Sequence, residues 1–501
     1  MNLLGDLPSE IVGIISNSLY HRDAISFGKT NKHFQLYLSK PDFGFVMSTL
    51  INLDTVLDPF KNYIRRPYVI GNFVSFYIKG PIELNHVPCN AKQIKYVVEK
   101  NCLDTTNLCL PSHLTHLKFG KHFNQPVDKL TLPSSLVSLE FGRYFNQPVD
   151  KLKFEWFGSL TTLSFGSNFD QPLDNLKLPP SLRILLLGNS FNQPISNLKL
   201  PTYLTRLEFG GSFNQDVNKL VLPLSLRILD FGSSFNQPVE NLILPTSLFV
   251  LTFGDSFNQR VEQIKLPQYL GHLDFGYDFD QSVENLKLPN SLTHLTFGNN
   301  FNRPIEKLSL PHSLLQLYFS CCFNQPVENL KWSNSLTHLR FGDDFNHPVE
   351  KISLPESLRT LVFGHSFNQP VEDMKLPNSL IDLMFGKDFN QPVEKLSLPD
   401  SLCVLHFGRC FNQRVEQLKL PPKLTEIRFG RKFNQPIERL VLPDSFSDFK
   451  FGLHFNHPVE HLKLPPKFTK IEFNPNYKHF IGNLVQEYPK VEIYYDFFCL
   501  D

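Results

Sequence analysis

The chain has 501 residues, with 49 basic and 48 acidic side chains and a formal net charge of +1. This balance argues against the basic footprint of a nucleic-acid-binding protein and the polybasic cluster of a membrane-surface protein. No apolar run approaches the roughly 20 residues that span a bilayer, and residues 1–10 lack the basic and apolar regions of a signal peptide. We therefore expect a cytoplasmic protein whose partners are proteins, with no nucleic acid and no membrane.

Residues 1–48 carry no repeat and have the apolar spacing of helices. Pro8 stands where the first turn of a helix tolerates proline. Several aliphatic residues fall on one face at helical spacing: Leu7, Ile11, Ile14, Ile15 and Leu19. The pattern predicts a small helical module. Residues 49–104 are mixed, although residues 81–84 and 94–98 have the apolar spacing of a degenerate repeat, so we predict a linker and an N-terminal cap there.

Residues 105–473 repeat the phrase Phe-Asn-Gln-Pro-Val at an interval of 22 residues, with one two-residue insertion between Phe145 and Phe169. A fixed period of this length marks a solenoid, whose units cannot bury their apolar faces alone. The pattern L-x-x-L-x-F alternates as a half-buried strand does, and V/I-E-x-L-x-L reads as a second extended segment. We predict a mostly β solenoid of parallel strands, two per coil. Residues 474–501 are predicted to form a C-terminal cap, with a helix at 481–487 and a closing strand at 491–495.

The constant positions of the unit have structural interpretations. The repeated Phe predicts a buried aromatic ladder, and the Asn that follows it predicts a buried column bonded to turn backbones. A glutamate column lies near a lysine column that would offset its repulsion, which we prefer to a metal site. These columns are Glu240, Glu262, Glu284, Glu306, Glu328, Glu350, Glu372 and Glu394, and Lys265, Lys287, Lys331, Lys375 and Lys419. The eight cysteines show no C-x-x-C pair, so we expect reduced thiols.

No pattern of residues indicates catalysis or a cofactor. The sequence contains no G-x-x-x-x-G-K-S/T, no G-x-G-x-x-G after a strand and no H-E-x-x-H. Some parallel solenoids are enzymes with carboxylates on a sheet face, which makes Asp230, Asp274 and Asp382 candidate catalytic residues. They lie several coils apart, and at nearly 5 Å per coil they are too widely spaced for one site. We expect no catalytic residue, no metal and no cofactor.

The strand positions between the fixed Leu and Phe differ from coil to coil. A repeated frame with changing outward residues is typical of a binding surface, and Tyr and Arg are enriched at interface hot spots. Any single one of these residues can equally be an ordinary solvated sheet residue. The candidate substrate-binding residues are Arg206, His272, Tyr318, His338, Arg340, His406 and Arg428.

The unit F-N-Q-P-V-x-x-L-x-L-P-x-S-L-x-x-L-x-F-G is very similar to the FNIP repeat, a family grouped with leucine-rich repeats. The resemblance covers about 360 residues of the chain. It implies a right-handed leucine-rich-repeat-like solenoid that binds proteins and has no catalytic activity. The chain departs from the commonest leucine-rich repeat in having Phe at the last strand position.

The N-terminal module resembles an F-box in its L-P-x-E-I opening at Leu7 and in the T-N-K-x-F pattern that ends at Phe34. F-boxes dock on the Skp-type adaptor of cullin-RING ubiquitin ligases, and repeats behind them commonly select a protein substrate. The resemblance implies that an apolar face of a helix enters a groove of the adaptor. The adaptor-binding residues would be Leu7, Pro8, Ile11, Ile15 and Leu19.

Other functions remain open. The same apolar residues can instead pack the module onto the cap, which would leave a protein-interaction scaffold without ligase recruitment. A solenoid hydrolase is the third hypothesis. The pairing of F-box and FNIP repeats resembles proteins of amoebae and of large DNA viruses that infect them, which implies action in a host cytoplasm if the chain is viral.

Overall fold

A computed structural model describes residues 64–70, 73–79, 93–97, 110, 112–154, 158–479 and 481–495. The chain divides into two compact units, Met1–Gly211 and Ser212–Asp501. The predicted helical module at residues 1–48 lies outside the described residues, as do parts of the predicted linker and caps. Among the described residues, no helix is long and apolar enough to cross a membrane.

The first unit begins with an antiparallel pair of strands, β1 and β2, and continues from β2 as a parallel sheet in chain order. Its strands are β1 (Ile64–Ile70), β2 (Phe73–Lys79), β3 (Gln93–Val97), β4 (His116–Phe119), β5 (Ser138–Glu140), β6 (Thr162–Ser164), β7 (Ile184–Leu186) and β8 (Arg206–Glu208). The degenerate repeat predicted at residues 94–98 supplies β3, with Ile94 opposite Leu117 of β4. The two-residue insertion leaves the register intact, because Leu139 still lies opposite Leu163.

The second unit continues the same pattern as a parallel sheet in chain order. Its strands are β9 (Ile228–Asp230), β10 (Val250–Thr252), β11 (His272–Asp274), β12 (His294–Thr296), β13 (Gln316–Tyr318), β14 (His338–Arg340), β15 (Thr360–Val362), β16 (Asp382–Met384), β17 (Val404–His406), β18 (Glu426–Arg428), β19 (Asp448–Lys450), β20 (Lys470–Phe473) and β21 (Glu492–Tyr495). Helix α1 (Gly482–Glu487) precedes β21, so the helix and the closing strand predicted at the C-terminus are both present. The predicted mostly β parallel solenoid is confirmed.

Each coil contains one short strand and three turns, so the prediction of two strands per coil is wrong. In one coil, the N–H of Met374 donates to the carbonyl of Val371 at 3.0 Å, and that of Leu380 donates to Pro377 at 3.1 Å. A third turn places the N–H of Phe389 at 3.2 Å from the carbonyl of Gly386. The apolar spacing of three residues in V-E-x-L therefore belongs to a closed turn, whereas a strand would require a spacing of two.

Two columns of phenylalanine fill the core. Phe385, at the end of its strand, stacks on Phe389 of the repeat phrase with a centroid distance of 4.1 Å, and Phe389 lies 6.0 Å from Phe411 of the next coil. Phe389 and Phe411 are fully buried. The predicted aromatic ladder is confirmed, and the second column at the strand ends adds to it. Large buried aromatic rings in offset stacks account for much of the apolar burial in each coil.

The asparagine after each phenylalanine links successive coils. The Oδ1 of Asn390 accepts hydrogen bonds from the backbone N–H of Asn412 at 2.8 Å and from the Nε2 of Gln413 at 3.1 Å. The column was expected to be buried, and this is wrong: Asn390 is half-buried and Asn324 is exposed. The asparagines lie at a corner of the coil, where a turn backbone needs an acceptor but still faces solvent.

The glutamates of the predicted acidic column contact groups of the next coil. Glu284 contacts Lys307 of the next coil at 3.2 Å, and Glu394 accepts from the backbone N–H of Gln417 at 3.3 Å. Both partners lie 23 residues after the glutamate, at the same corner one coil further on. The lysines of the predicted basic column lie three residues after a glutamate of the same coil, as Lys287 does after Glu284.

Glycine follows the strand-end phenylalanine because successive turns are in close contact. A Cβ on Gly386 would collide with the carbonyl oxygen of Gly364. At Gly276 the backbone is also left-handed, with φ of +83°, and the carboxylate of Asp274 accepts its N–H at 2.9 Å. The last coil has a fully buried Asn474 in this place, whose Nδ2 donates to the carbonyl of Phe455 at 2.8 Å.

Candidate interaction surface on the strands

The strands expose two rows of variable side chains. Most repeat strands bury their central residue and leave the first and third half-buried or exposed, as β13 and β14 do. Because neighbouring strands are in register, Gln316 lies opposite His338 and Tyr318 lies opposite Arg340. Within each unit, first residues therefore form one row and third residues form another. All seven predicted substrate-binding residues lie in these rows.

Three of the predicted residues belong to the first row and line neither of the two grooves described below. Arg206 bonds through Nε to Glu208 on its own strand at 2.6 Å. The ring of His272 stacks on His294 at 5.4 Å, and burial, followed by the charge of His272, lowers the pKa of His294. The Nδ1 of His338 lies 2.9 Å from the Thr337 hydroxyl.

Tyr318 and Arg340 border a common groove of about 530 Å³, named here the Tyr318 groove, whose polar lining is Asn299, Tyr318, Ser320, Cys321, Arg340 and Asp343. The carboxylate of Asp343 lies 3.9 Å from Arg340 Nη2 and 3.5 Å from His365 Nδ1. A hydrogen bond to Asp343, with burial second, raises the pKa of the Cys321 thiol. One arginine and one aspartate therefore nearly balance the charge of this groove.

His406 and Arg428 border a second groove of about 300 Å³, named here the Arg428 groove, whose polar lining is His406, Arg409, Arg428, Arg431 and Lys450. Its floor is formed by Phe407, Phe429, Phe451 and the glycines after the last two. None of the described residues that line it is acidic. The groove therefore has three arginines and one lysine over an aromatic floor.

Two carboxylates lie beside the Arg428 groove and hold its cations in place. Oε1 of Glu426 is 2.5 Å from Arg428 Nε and 3.0 Å from His406 Nε2, and Glu472 contacts Lys450 at 2.9 Å. Burial lowers the pKa of His406, although its hydrogen bond to Glu426 opposes this shift. His406 is therefore neutral near pH 7, and the positive charge comes from the arginines and the lysine.

The three aspartates that were candidate catalytic residues accept hydrogen bonds from the backbone or from a neighbouring side chain. Asp230 accepts the N–H of Gly232 at 2.8 Å, as Asp274 does for Gly276, and Asp382 accepts the hydroxyl of Thr360 at 3.1 Å. In the part of the chain that the structure describes, no group of three or more His, Cys, Asp or Glu residues could hold a metal ion. The predicted adaptor-binding residues, Leu7, Pro8, Ile11, Ile15 and Leu19, lie outside the described residues.

A family model described as the FNIP repeat matches the chain at residues 105–144, 123–154, 145–190, 191–234, 235–278, 279–322, 323–366, 367–410 and 411–454. The chain belongs to the FNIP repeat family. The FNIP unit is the coil described above: one strand, three turns, two buried phenylalanines and an asparagine that bonds to the next coil. Both grooves lie within the FNIP repeats.

A solved structure described as CroV588, a novel circular LRR protein, is 38% identical in sequence, with a TM-score of 0.70 over 83% of this chain and 71% of that chain. The Toll–Spatzle complex of Drosophila has a TM-score of 0.54 at 13% identity, over 83% of this chain and 65% of that chain, which shows the fold alone. No curated protein sequence matches the chain significantly. Leucine-rich-repeat-like architecture is therefore shown for the FNIP repeats.

Sequence reasoning missed four charged residues that distinguish the grooves: Asp343, Arg409, Arg431 and Lys450. Asp343, Arg409 and Arg431 follow the glycine position of the FNIP unit. The sequence prediction considered only the positions between the fixed Leu and Phe. A signal was present, because Lys387, Arg409 and Arg431 recur at intervals of 22 residues after that glycine. Comparing the turn position across coils would have found them.

Proposed function

We propose that the chain is a non-catalytic substrate-recognition adaptor of a cullin-RING ubiquitin ligase. Residues 1–48 would dock a Skp-type adaptor, and the FNIP solenoid would bind a protein substrate. The substrate-binding part of the proposal rests on one observation. The buried and hydrogen-bonded residues of the coils, called the frame here, are nearly uniform, whereas two rows of outward side chains vary from coil to coil. A uniform frame cannot discriminate partners, so selectivity belongs to the residues that vary on it.

The ligase half rests on the F-box-like pattern of residues 1–48. A helix with an apolar face of Leu7, Ile11 and Ile15 fits the helix-in-groove mode of recognition. Such a subunit works in the cytoplasm, and in the host cytoplasm if the chain is viral. No cofactor is required, since the ligase chemistry would belong to other subunits.

The adaptor interaction is tested with the full chain and a purified Skp-type adaptor in a pull-down. We expect Leu7→Ala combined with Pro8→Ala to abolish capture, because both changes remove apolar contact surface. Ser16→Ala combined with Asn17→Ala changes two polar residues outside the predicted apolar face and is the matched control, expected to bind like the unmodified chain. Absence of capture by the unmodified chain, or equal capture by both double variants, would refute ligase recruitment.

The second candidate is a protein-interaction scaffold without ligase recruitment. It is favoured by the family match, which covers residues 105–454 and does not reach the F-box-like segment. If the full chain fails to bind the adaptor, this function remains, and the strand rows still provide the binding surface. A solenoid hydrolase is the weakest alternative, because neither groove brings three acidic or histidine side chains of the described residues together.

A further inference from the structure

We propose that the Arg428 groove is the anchor site for an acidic peptide segment of the partner protein, with a carboxylate or phosphate group held among Arg409, Arg428, Arg431 and Lys450. The inference rests on the proposed protein-binding function and deepens it by naming the chemistry of the partner at one site. It does not depend on ligase recruitment.

The first argument is the local concentration of charge. The whole chain is nearly neutral, with 49 basic and 48 acidic residues. Four fixed cations nevertheless line one groove of about 300 Å³, and none of its described lining residues is acidic. Low-dielectric walls focus the field of such a cluster and raise the local concentration of anions.

The second argument is that the cations lie beside one another. Arg428 lies opposite Lys450 in the register of the parallel sheet. Arg409 and Arg431 occupy the same turn position in successive coils, which are joined by a hydrogen bond of 2.9 Å from the N–H of Lys432 to the carbonyl of Arg409. Like charges on directly opposite residues destabilise a sheet, and an anion bound between them would add to the relief that Glu426 and Glu472 give.

The third argument is that the neighbouring carboxylates do not occupy the groove. Glu426 contacts Arg428 at Nε, at a distance of 2.5 Å. Glu472 contacts Lys450 and also Lys470, which does not line the groove. These contacts order the cations and reduce the entropy lost on binding. A guanidinium group pairs with carboxylate or phosphate through two parallel hydrogen bonds.

The size of the cationic stretch favours a peptide over a nucleic acid. Along the third row, Met384 precedes His406 and Glu472 follows Lys450, so the cations of that row end within three coils, about 10 Å. The turn row extends the cationic stretch by one coil, to Lys387. A nucleic acid strand needs a longer track of cations. The floor of Phe407, Phe429 and Phe451 suits apolar atoms beside the charged group. One or two acidic side chains with an apolar neighbour match these dimensions.

The proposal is tested with the full chain and fluorescent peptides of one length, measured by anisotropy at low and physiological salt. One peptide carries glutamates flanked by leucine, the second has phosphoserine in place of one glutamate, and the third has glutamine throughout. We expect both anionic peptides to bind with salt-sensitive affinity and the glutamine peptide to bind at least about tenfold more weakly. The phosphoserine and glutamate arms distinguish the two sources of the anion.

The decisive variants have the same change of charge. Arg431→Ala removes a cation of the groove, whereas Arg439→Ala removes an exposed cation in the Ile437–Leu440 turn, which does not line it. We expect Arg431→Ala to weaken the anionic peptides about tenfold and Arg439→Ala to change them less than twofold. Circular dichroism checks that both variants keep the fold.

Four outcomes would overturn the proposal. They are no binding of either anionic peptide by the unmodified chain, equal weakening by the two variants, tighter Arg431-dependent binding of a single-stranded oligonucleotide, and full displacement of the peptides by inorganic phosphate at equal concentration. The adaptor pull-down is a separate experiment, so failure of the ligase proposal would be recognised independently. Retained adaptor capture with no peptide binding would refute this site alone.

Discussion

The Tyr318 groove and the Arg428 groove occupy equivalent positions of the repeat, four coils apart, and differ in charge. Tyr318 and His406 are third-row residues of one coil, and Arg340 and Arg428 are third-row residues of the next. The arginine is common to both grooves. Three residues after it, the first groove has Asp343, which contacts Arg340 at 3.9 Å, and the second has Arg431. The FNIP frame forms the groove, and the residue after the glycine sets its charge.

The comparison separates the residues that hold the coils together from those that face a partner. The frame beneath the two grooves is the same, because Phe319 and Phe323 stack at 4.1 Å and so do Phe407 and Phe411. Side chains in the frame are committed to burial and to hydrogen bonds between coils. The turn and third-row positions do not form the frame, so the charge of their side chains can differ between coils without altering the coil.

The largest expected effect tests whether the frame is the same under both grooves. Phe323→Ala and Phe411→Ala each remove a fully buried ring from the same column. We expect each to lower the free energy of unfolding by about 3–5 kcal/mol, measured by denaturant titration. The two losses should agree within about 1 kcal/mol, and a larger difference would show that the grooves do not rest on equivalent coils.

The glycine position gives the next largest effect. Ser320 stands where most coils have glycine, and its hydroxyl donates to the carbonyl of Phe297 at 2.5 Å. The residue equivalent to Ser320 beside the Arg428 groove is Gly408. A Cβ on Gly408 would collide with the carbonyl oxygen of Gly386.

We expect Gly408→Ser to lower the unfolding free energy by about 1–3 kcal/mol through overpacking. Ser320→Gly should change it by no more than about 1.5 kcal/mol, the value of one hydrogen bond. Thermal and denaturant unfolding of the two single variants measure the difference. Equal effects of the two substitutions would show that the coil containing Tyr318 is not adapted to a side chain at position 320.

The sequence predicts the frame well because the same residue types recur at the same positions of every coil. A phenylalanine that recurs every 22 residues must occupy the same place in each coil, and the ladder of Phe389 on Phe411 follows from that alone. The V-E-x-L segment was misassigned because Val371 and Met374 are both apolar in a turn as they would be in a strand. The spacing of three residues was the distinguishing feature.

The grooves could be predicted only in part. Tyr318, Arg340, His406 and Arg428 were found because they vary within a strand, where outward positions follow from alternation. Which turn residues reach them depends on how a turn bends back towards the strand row of the next coil. Sequence spacing does not fix that geometry, so Asp343 and Arg431 became visible only in the structure.

An exchange of the two turn residues tests the charge difference directly. We expect Arg431→Asp to weaken binding of the glutamate peptide by more than the roughly tenfold loss of Arg431→Ala, because it adds a repulsive charge. Asp343→Arg should add a second site of weaker affinity in the Tyr318 groove, seen as a stoichiometry above one in calorimetry. No gain from Asp343→Arg would mean that the shape of the grooves, and not only their charge, differs.

The smallest effect concerns pH, and it uses the other difference between the grooves, His406 in the place of Tyr318. Burial lowers the pKa of His406 below its ordinary value, against the hydrogen bond and charge of Glu426 and the charge of Asp382, while Arg428 adds to the lowering. Between that value and about 6.5, the ordinary pKa of an unfolded histidine, the unfolded chain binds more protons than the folded chain.

Stability should therefore be fully present above about pH 7 and should decline as the pH falls below about 6.5, the ordinary histidine value. His406→Gln removes this contribution, so the unfolding free energy of the variant should fall less steeply over that range. Tyr318→Phe is the matched control, because it changes the corresponding third-row residue of the other groove and leaves every histidine in place, so its profile should stay parallel to that of the unmodified chain. Other histidines contribute equally to all three proteins, so the difference between the profiles isolates His406. Parallel profiles for His406→Gln and the unmodified chain would contradict a lowered pKa at this position.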